Sequence, residues 1–298
     1  MNKPKRIIWP NAKDRPKTTY LKMGFKQLGI PIETSNSLIK KYRPSENKLG
    51  PYVYPFIMDF GEKKPVVMYD IGTTPTGFYP NLALKTKTYF KIHVRKDIRK
   101  QIPNLVVAPN SVSNPAVYFE HLPNLRKIKD EGQYIWDFQF IGWHDDRGLR
   151  MSTVKLAKKQ PWKCHMGLMP FKHHTKVPPH LLIDRIGYKE HLVSQALSKI
   201  CLALPGGFAQ PWCSFRHVEL WGMGCCVITK KPDCLLVHQP KLAWIEYDLK
   251  NFVEQVEYYL NHAEERETIA KVGRAYFDTW LKPVSHAIYF INEVSARM

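Results

Sequence analysis

The sequence has no long run of apolar residues and no regular arrangement of cysteines. None of its 298 residues lies in an apolar run near the ~18 residues that a membrane-spanning helix needs, so no membrane span is predicted. The basic residues 1–17 lack the apolar segment of a secretory signal. The six cysteines form no C-x-x-C pair, which excludes a disulfide scaffold and predicts a reducing, cytoplasmic location.

Motifs of common cofactor and metal sites are also missing. The sequence contains neither G-x-x-x-x-G-K-[ST] nor a G-x-G-x-x-G that opens a first helix, which argues against a P-loop and a dinucleotide fold. His173 and His174 lie near Cys164 and His165, but zinc sites use paired ligands at regular short spacing. We therefore expect no cofactor and no metal ion.

Positive charge is abundant and unevenly distributed. The 45 Lys and Arg against 26 Asp and Glu give a net charge of +19. Residues 1–50 hold 12 basic and 3 acidic residues, whereas residues 251–298 hold 5 and 7. A positive electrostatic field of this kind attracts nucleic acid, nucleotide phosphates or an anionic membrane surface. A high net charge can also simply keep a protein soluble.

The pattern of apolar segments predicts strands that alternate with helices, which is typical of an α/β fold with parallel sheets. Strands are predicted at 5–10, 65–69, 88–94 and 104–108, and again at 135–143, 162–169, 200–204 and 225–229. A polar connection is predicted near 125–132. The predicted domains are therefore residues 1–130 and 131–283, with a final helix, 284–298, that returns to the first domain.

The densest chemical signal lies in residues 202–229. A buried strand leads through Gly206 and Gly207 to Ser214, a good N-cap residue, and then to a short helix. The N-terminus of such a helix is an anion site. Arg216 lies in the first helical turn, where a cation opposes the helix dipole unless it faces an anion such as a diphosphate. In the alternative interpretation, Ser214 is only a cap and Arg216 forms a surface pair with Glu219.

The run L-P-G-G-(x)6-S-F-R-x-x-E-(x)4-G-C-C-V-I resembles the donor-binding half of GT-B glycosyltransferases, especially the exostosin-like group. Phe140-Ile141-Gly142, followed by Arg147 and Arg150, resembles the opening of their nucleotide-binding domain, and residues 265–277 resemble their closing helices. The resemblance covers about residues 133–290. In size and lysine content the chain also resembles small soluble glycosyltransferases of large algal viruses, which would place it in a host cytoplasm.

This resemblance implies two Rossmann-like domains facing across a cleft, with residues 1–130 binding the acceptor. It also implies transfer of a sugar from a UDP- or GDP-sugar to a hydroxyl of a glycan or glycoprotein. Ser214 and Arg216 would contact the donor diphosphate together with Arg147 or Arg150, and Glu219 would contact sugar or ribose hydroxyls. The implied donor-binding residues are Arg147, Arg150, Gly206, Gly207, Ser214, Phe215, Arg216 and Glu219.

The sequence contains no Asp-x-Asp, the motif with which GT-A transferases hold a divalent ion. A metal-independent reaction is therefore expected, with arginine, lysine and the helix dipole facing the diphosphate.

An inverting reaction needs a base that takes the proton of the acceptor hydroxyl. Asp70, directly after a predicted strand, is the first candidate, Asp14 the second and His93 the third. Each has an ordinary alternative as a turn carboxylate, a cap or a packed histidine.

Two other functions remain open from the sequence. The aromatic and basic residues of segment 85–100 suit a nucleic-acid-binding protein, although no recognised nucleic-acid motif accompanies them. Another nucleotide-using α/β enzyme, such as a methyltransferase, would normally carry a glycine-rich loop after its first strand, and this chain does not. Neither alternative gives a role to Ser214, Arg216 and Glu219.

Overall fold

The protein is described here by a computed structural model. It describes residues 3–38, 52–72, 83, 86–143, 149–170, 177–204, 213–232, 236–238 and 240–298. The implied site residues Arg147, Gly206 and Gly207 lie outside these ranges.

The first half of the described chain alternates strands with three helices, in the following order: β1 (Arg6–Pro10), α1 (Pro16–Gln27), β2 (Ile32–Ser35), β3 (Val53–Asp59), β4 (Val66–Asp70), β5 (Thr88–Lys91), α2 (Lys96–Gln101), β6 (Leu105–Val107) and α3 (Pro115–Asp130).

The second half continues with β7 (Trp136–Trp143), α4 (Leu149–Ala157), β8 (Cys164–Met169), a 3-10 turn (Pro179–Leu181), α5 (Tyr188–Ala196), β9 (Ser198–Leu202), α6 (Phe215–Met223), β10 (Cys226–Thr229), β11 (Ile245–Glu246), α7 (Phe252–Asn261), α8 (Ala263–Tyr276), a π-helical turn (Phe277–Leu281) and α9 (Pro283–Ser295).

The chain divides into two compact units. Unit 1 comprises residues 1–111, 234–239 and 279–298, and unit 2 comprises residues 112–233 and 240–278. In unit 1, α9 packs along α1. Units defined by contacts are not functional domains, so the predicted limits 1–130, 131–283 and 284–298 stay a prediction.

Unit 1 contains a six-stranded sheet in the order β2-β1-β3-β4-β5-β6. Five of these strands run in one direction, and β3 runs against both of its neighbours. Side chains of α1 and α9 cover the sheet; Leu21 and Phe25 pack with Phe290 and Ile291 against Trp9 and other strand residues.

Unit 2 contains a five-stranded, wholly parallel sheet in the order β11-β10-β9-β7-β8. The central strand β7 places Phe138 and Phe140 in a buried core with Ile200, Leu202 and Phe252. Parallel strands are covered on both faces, which explains why they appear in the sequence as nearly continuous apolar runs.

The predicted α/β class with two cycles of strand and helix is confirmed, but three predicted details differ. Strands β2 and β3 were not predicted, and β3 makes the first sheet mixed rather than parallel. It pairs with β4 as a hairpin whose turn includes Gly61 at a φ of 97°, a geometry that requires glycine.

The predicted polar connection near 125–132 is wrong at its start, because α3 extends to Asp130. Asn114 caps this helix by accepting a hydrogen bond from the Val117 amide, and Pro115 occupies its first position. Tyr118, Leu122 and Leu125 then form a buried stripe at helical spacing. Pro123 suggested a break, but this apolar stripe keeps the segment helical. No helix in the described ranges is long and apolar enough to cross a membrane.

Candidate functional site

The first turn of α6 follows β9 at the carboxyl end of the unit 2 sheet. Ser214 is the N-cap residue, and its backbone N–H donates to Nδ1 of His217 at 3.1 Å. The Ser214 hydroxyl lies 3.1 Å from the same nitrogen. The predicted start of this helix is therefore confirmed, with a histidine at the third helical position that sequence reasoning did not single out.

His217 fixes this turn to the neighbouring strand. Its Nε2 lies 3.0 Å from the hydroxyl of Thr229, which itself donates to the carbonyl of Ala203 at 2.6 Å. The hydroxyl therefore accepts from Nε2–H, while Nδ1 accepts from Ser214. Burial, with a smaller effect of Arg216, lowers the pKa of His217 to about 3, so the ring is a neutral structural support.

Arg216 is a half-buried cation in the first turn of α6. Its guanidinium carbon lies 5.5 Å from the ring centre of Phe140, a favourable cation–π position. Its Nη1 atom is buried and has no hydrogen-bond partner in the described part of the chain. Burial and then the charge of Arg150 lower the pKa of Arg216 to about 10. A negative ligand would relieve both effects.

Arg150 supplies a second guanidinium at the same edge. Its Nη1 donates to the carbonyl of Trp143 at 2.8 Å, and its Nη2 donates to the carbonyl of Leu204 at 3.1 Å. These two carbonyls lie at the carboxyl ends of β7 and β9, where open α/β sheets bind their ligands. The structure therefore brings together Arg150 and Arg216, two residues implied by the resemblance.

Glu219 is buried, with 4% of its surface exposed, and is held by two residues that sequence reasoning missed. Its Oε1 accepts hydrogen bonds from the Ser113 amide (2.8 Å), the Ser113 hydroxyl (2.6 Å) and the Tyr188 hydroxyl (2.6 Å). No ion pair joins Glu219 to Arg216 among the described residues, so the surface pair of the alternative interpretation is not formed. Phe215 begins α6 and is half-buried.

Asp70 ends β4 in unit 1 and is 2% exposed. It accepts hydrogen bonds from Lys91 Nζ (3.0 Å), the Tyr89 hydroxyl (2.9 Å) and the Gly72 amide (2.8 Å). These three donors occupy most of the roughly four acceptor positions of a carboxylate.

The other two candidate bases also lie in unit 1. Asp14 is exposed and pairs with Lys22 at 2.9 Å. His93 is 3% exposed, and burial, followed by the charge of Lys17, lowers its pKa well below the ordinary value. None of these contacts tests the role of a base, which stays a prediction.

The arrangement in unit 2 can bind an anion. Two guanidinium groups and the amino end of a helix lie at one sheet edge, and a buried carboxylate with fixed orientation lies one turn farther along that helix. Among the residues that the structure describes, no three His, Cys, Asp or Glu side chains are grouped as ligands of a metal ion.

Residues 159–280 match the profile of a family described as glycosyl transferase-like. The matched segment contains Ser214, Arg216 and Glu219, and it begins after Arg150. This part of the chain therefore resembles a glycosyl transferase-like domain. A comparison with curated protein sequences found no significant match.

Solved structures show the same fold. Anabaena HepE, crystallised with UDP and glucose, matches 98% of this chain and 100% of its own, with 12% identity and a TM-score of 0.55. Its complex with UDP matches 75% of this chain and 70% of its own, with 9% identity and a TM-score of 0.53. These likenesses confirm the predicted GT-B fold.

WaaG, a glycosyltransferase involved in lipopolysaccharide biosynthesis, shares 14% identity over 68% of this chain and has a TM-score of 0.45, too low to support an inference. The chain spans 62% of the length of WaaG. Neither alternative from the sequence, a nucleic-acid-binding protein or a methyltransferase, is favoured by these matches.

Proposed function

We propose that this protein is a glycosyltransferase that transfers a sugar from a UDP- or GDP-sugar to a hydroxyl of a glycan or glycoprotein acceptor. The reaction inverts the anomeric carbon and needs no metal ion. The exostosin-like motif around Ser214, Arg216 and Glu219 supports this proposal, as does the UDP present in the crystals of HepE. The proposal also includes a relationship to the small soluble glycosyltransferases of large algal viruses.

The observation that carries the proposal is the guanidinium pair of Arg150 and Arg216. Two like charges at the carboxyl end of the sheet repel each other when no ligand is bound. Arg216 also lies at the amino end of a helix, where the helix dipole disfavours a cation. Guanidinium groups bind phosphate oxygens with two parallel hydrogen bonds, so a diphosphate suits this pair well. In this proposal Arg147, Gly206, Gly207, Ser214 and Phe215 complete the donor site.

We assign the base to Asp70 and keep Asp14 as the second candidate. Asp70 lies at the carboxyl end of β4, the edge at which open α/β sheets bind their ligands. We also propose a cytoplasmic location. The buried free thiols of Cys201, Cys225 and Cys226 support a reducing compartment.

The donor site is tested by Arg216→Ala. Loss of a charged hydrogen-bond donor should weaken UDP or GDP binding by about 1.5–3 kcal/mol, roughly 10- to 150-fold, in calorimetric titration. Arg274→Ala is the matched control, because Arg274 lies in the same unit in a surface ion pair with Asp130. Unchanged nucleotide affinity in a folded Arg216→Ala variant would refute the assignment.

Metal independence is tested by measuring sugar transfer with EDTA present. Activity should persist, because the arginine pair and the helix dipole neutralise the leaving diphosphate. Complete loss of activity that manganese restores would show that a divalent ion is required.

A further inference from the structure

A second group of aromatic and basic side chains lies in unit 1, at the carboxyl end of β4. Tyr52 is 48% exposed. Its carbonyl accepts a hydrogen bond of 2.8 Å from the Ile71 amide, which fixes Tyr52 beside the segment that follows Asp70. The two backbones are close enough that a Cβ added to Gly72 would lie 3.9 Å from Cβ of Tyr52.

Arg15 lies over this aromatic ring. Its guanidinium carbon is 5.7 Å from the ring centre of Tyr52, and Arg15 is the N-cap residue of α1, a helix of 12 residues. No acidic residue occupies the first turn of this helix. The amino end of α1 therefore carries the positive end of its dipole together with Arg15, while Asp14, the residue before it, pairs with Lys22.

Two buried lysines lie behind this surface, and the charge of one of them is balanced by Asp70. Lys17 donates to the Ile71 carbonyl at 3.0 Å, and Lys91 pairs with Asp70 at 3.0 Å. Burial lowers the pKa of Lys17 to about 7, an effect that Asp70 opposes and Lys91 strengthens. Lys17 and Lys91 therefore both lie at the carboxyl end of β4, beside Asp70 and Ile71.

The partly exposed aromatic ring and the cation that lies over it can make complementary contacts. The C–H face of a pyranose ring packs on an aromatic ring, and a guanidinium binds a carboxylate or phosphate with directed hydrogen bonds. Both groups occur at the edge where open α/β sheets bind ligands. A neutral sugar would use Tyr52 alone.

We propose that Tyr52 and Arg15 form a subsite for an acidic sugar, with the pyranose ring on Tyr52 and the carboxylate or phosphate facing Arg15. That this sugar is part of the acceptor rests on the proposed glycosyltransferase function. The subsite itself concerns unit 1 alone.

The test is an NMR titration of the whole protein with glucuronate, glucose 6-phosphate and glucose, at saturating UDP so that the donor site is filled. At least one acidic sugar should bind about tenfold more tightly than glucose, the difference expected of a single charged hydrogen bond. Glucuronate and glucose 6-phosphate distinguish a carboxylate from a phosphate. Comparable binding of glucose and both acids by the wild-type protein would overturn the proposal without any variant.

Two substitutions separate the roles. Arg15→Gln should remove the preference for acidic sugars and leave glucose binding unchanged, whereas Tyr52→Leu should weaken all three sugars. Arg95→Gln is the matched control in unit 1, since Arg95 forms a surface pair with Asp97. A preference that persists in Arg15→Gln would overturn the assignment.

Failure of this subsite can be told apart from failure of the donor site. The titration is repeated without UDP in Arg216→Ala, whose donor site lacks one of its two guanidinium groups. Acidic-sugar binding that is lost in this variant belongs to unit 2 and overturns the proposal; binding that persists supports it. UDP affinity, measured separately, tests only the assignment of the donor site.

Discussion

At the scale of single residues, two fully buried histidines differ in their surroundings. His217 in unit 2 is bonded through both ring nitrogens, to Ser214 and Thr229. His286 in unit 1 packs among the rings of Tyr20, Tyr69 and Phe290, and neither of its nitrogens has a hydrogen-bond partner among the described residues. An unsatisfied buried polar group costs about 1–3 kcal/mol.

Removing the two imidazoles should therefore have opposite effects. His286→Leu replaces an unsatisfied ring with an apolar side chain of similar size and should leave the free energy of unfolding unchanged or raise it by about 1 kcal/mol. His217→Leu leaves Ser214 and Thr229 without their partner and should lower it by about 1–3 kcal/mol. Urea unfolding of both variants measures the difference, and a destabilised His286→Leu would contradict the assignment.

The same histidines predict how stability depends on pH. Burial is the main cause that lowers the pKa of each to about 3, while a histidine in the unfolded chain keeps a value near 6.5. Since the unfolded chain binds these protons more readily, the free energy of unfolding is unaffected by the two groups above about pH 6.5 and decreases as the pH falls toward about 3. The wild type should lose stability over this range more steeply than His286→Leu.

At the scale of elements, α1 and α9 approach each other at Gly24. A Cβ at this position would overlap the carbonyl oxygen of Pro283 and lie 2.9 Å from Cβ of Ala287. Alanine would favour the helix by about 1 kcal/mol, but the clash with backbone is the larger effect. Gly24→Ala should lower the free energy of unfolding by about 1–3 kcal/mol. Gln27→Ala, exposed on the same helix, is the control, and equal stability of the two variants would contradict this packing.

Elements and site residues were predictable where the signal is local. The apolar runs of β4, β7 and β10 and the glycine–serine start of α6 identified these elements, because buried parallel strands and helix caps leave short-range patterns. Strand β3 is buried along most of its length, and its pairing against β1 depends on distant residues. Arg216 was singled out because a cation in the first turn of a helix opposes the helix dipole.

The partners of Glu219 could not be found from the sequence in this way. Tyr188 is 31 residues from Glu219 and Ser113 is 106 residues away. Their hydrogen bonds form only once α3, α5 and α6 have packed together. Sequence reasoning thus identified the charged groups of the candidate site but not the groups that orient them.

At the scale of the whole molecule, the net charge of +19 attracts any polyanion, so binding of nucleic acid by itself does not establish a function. Surface lysines act through a field that salt screens, with a Debye length of about 10 Å at 0.1 M. Arg216 is different, because it is half-buried, and in the proposed function it would face the diphosphate in a partly desolvated site. The salt dependence of affinity should therefore distinguish general attraction of polyanions from binding at the specific site.

We expect affinity for random single-stranded DNA of about 20 nucleotides to fall at least a hundredfold between about 50 and 200 mM KCl, as counterion release requires when several phosphates are neutralised. UDP affinity should fall less than about tenfold over the same range, because a diphosphate engages few charges and those charges are partly buried. Fluorescence anisotropy with labelled DNA and calorimetry with UDP give the two slopes. DNA binding that survives about 200 mM KCl while UDP binding is absent would favour the nucleic-acid-binding alternative, since attraction by net charge alone cannot produce it.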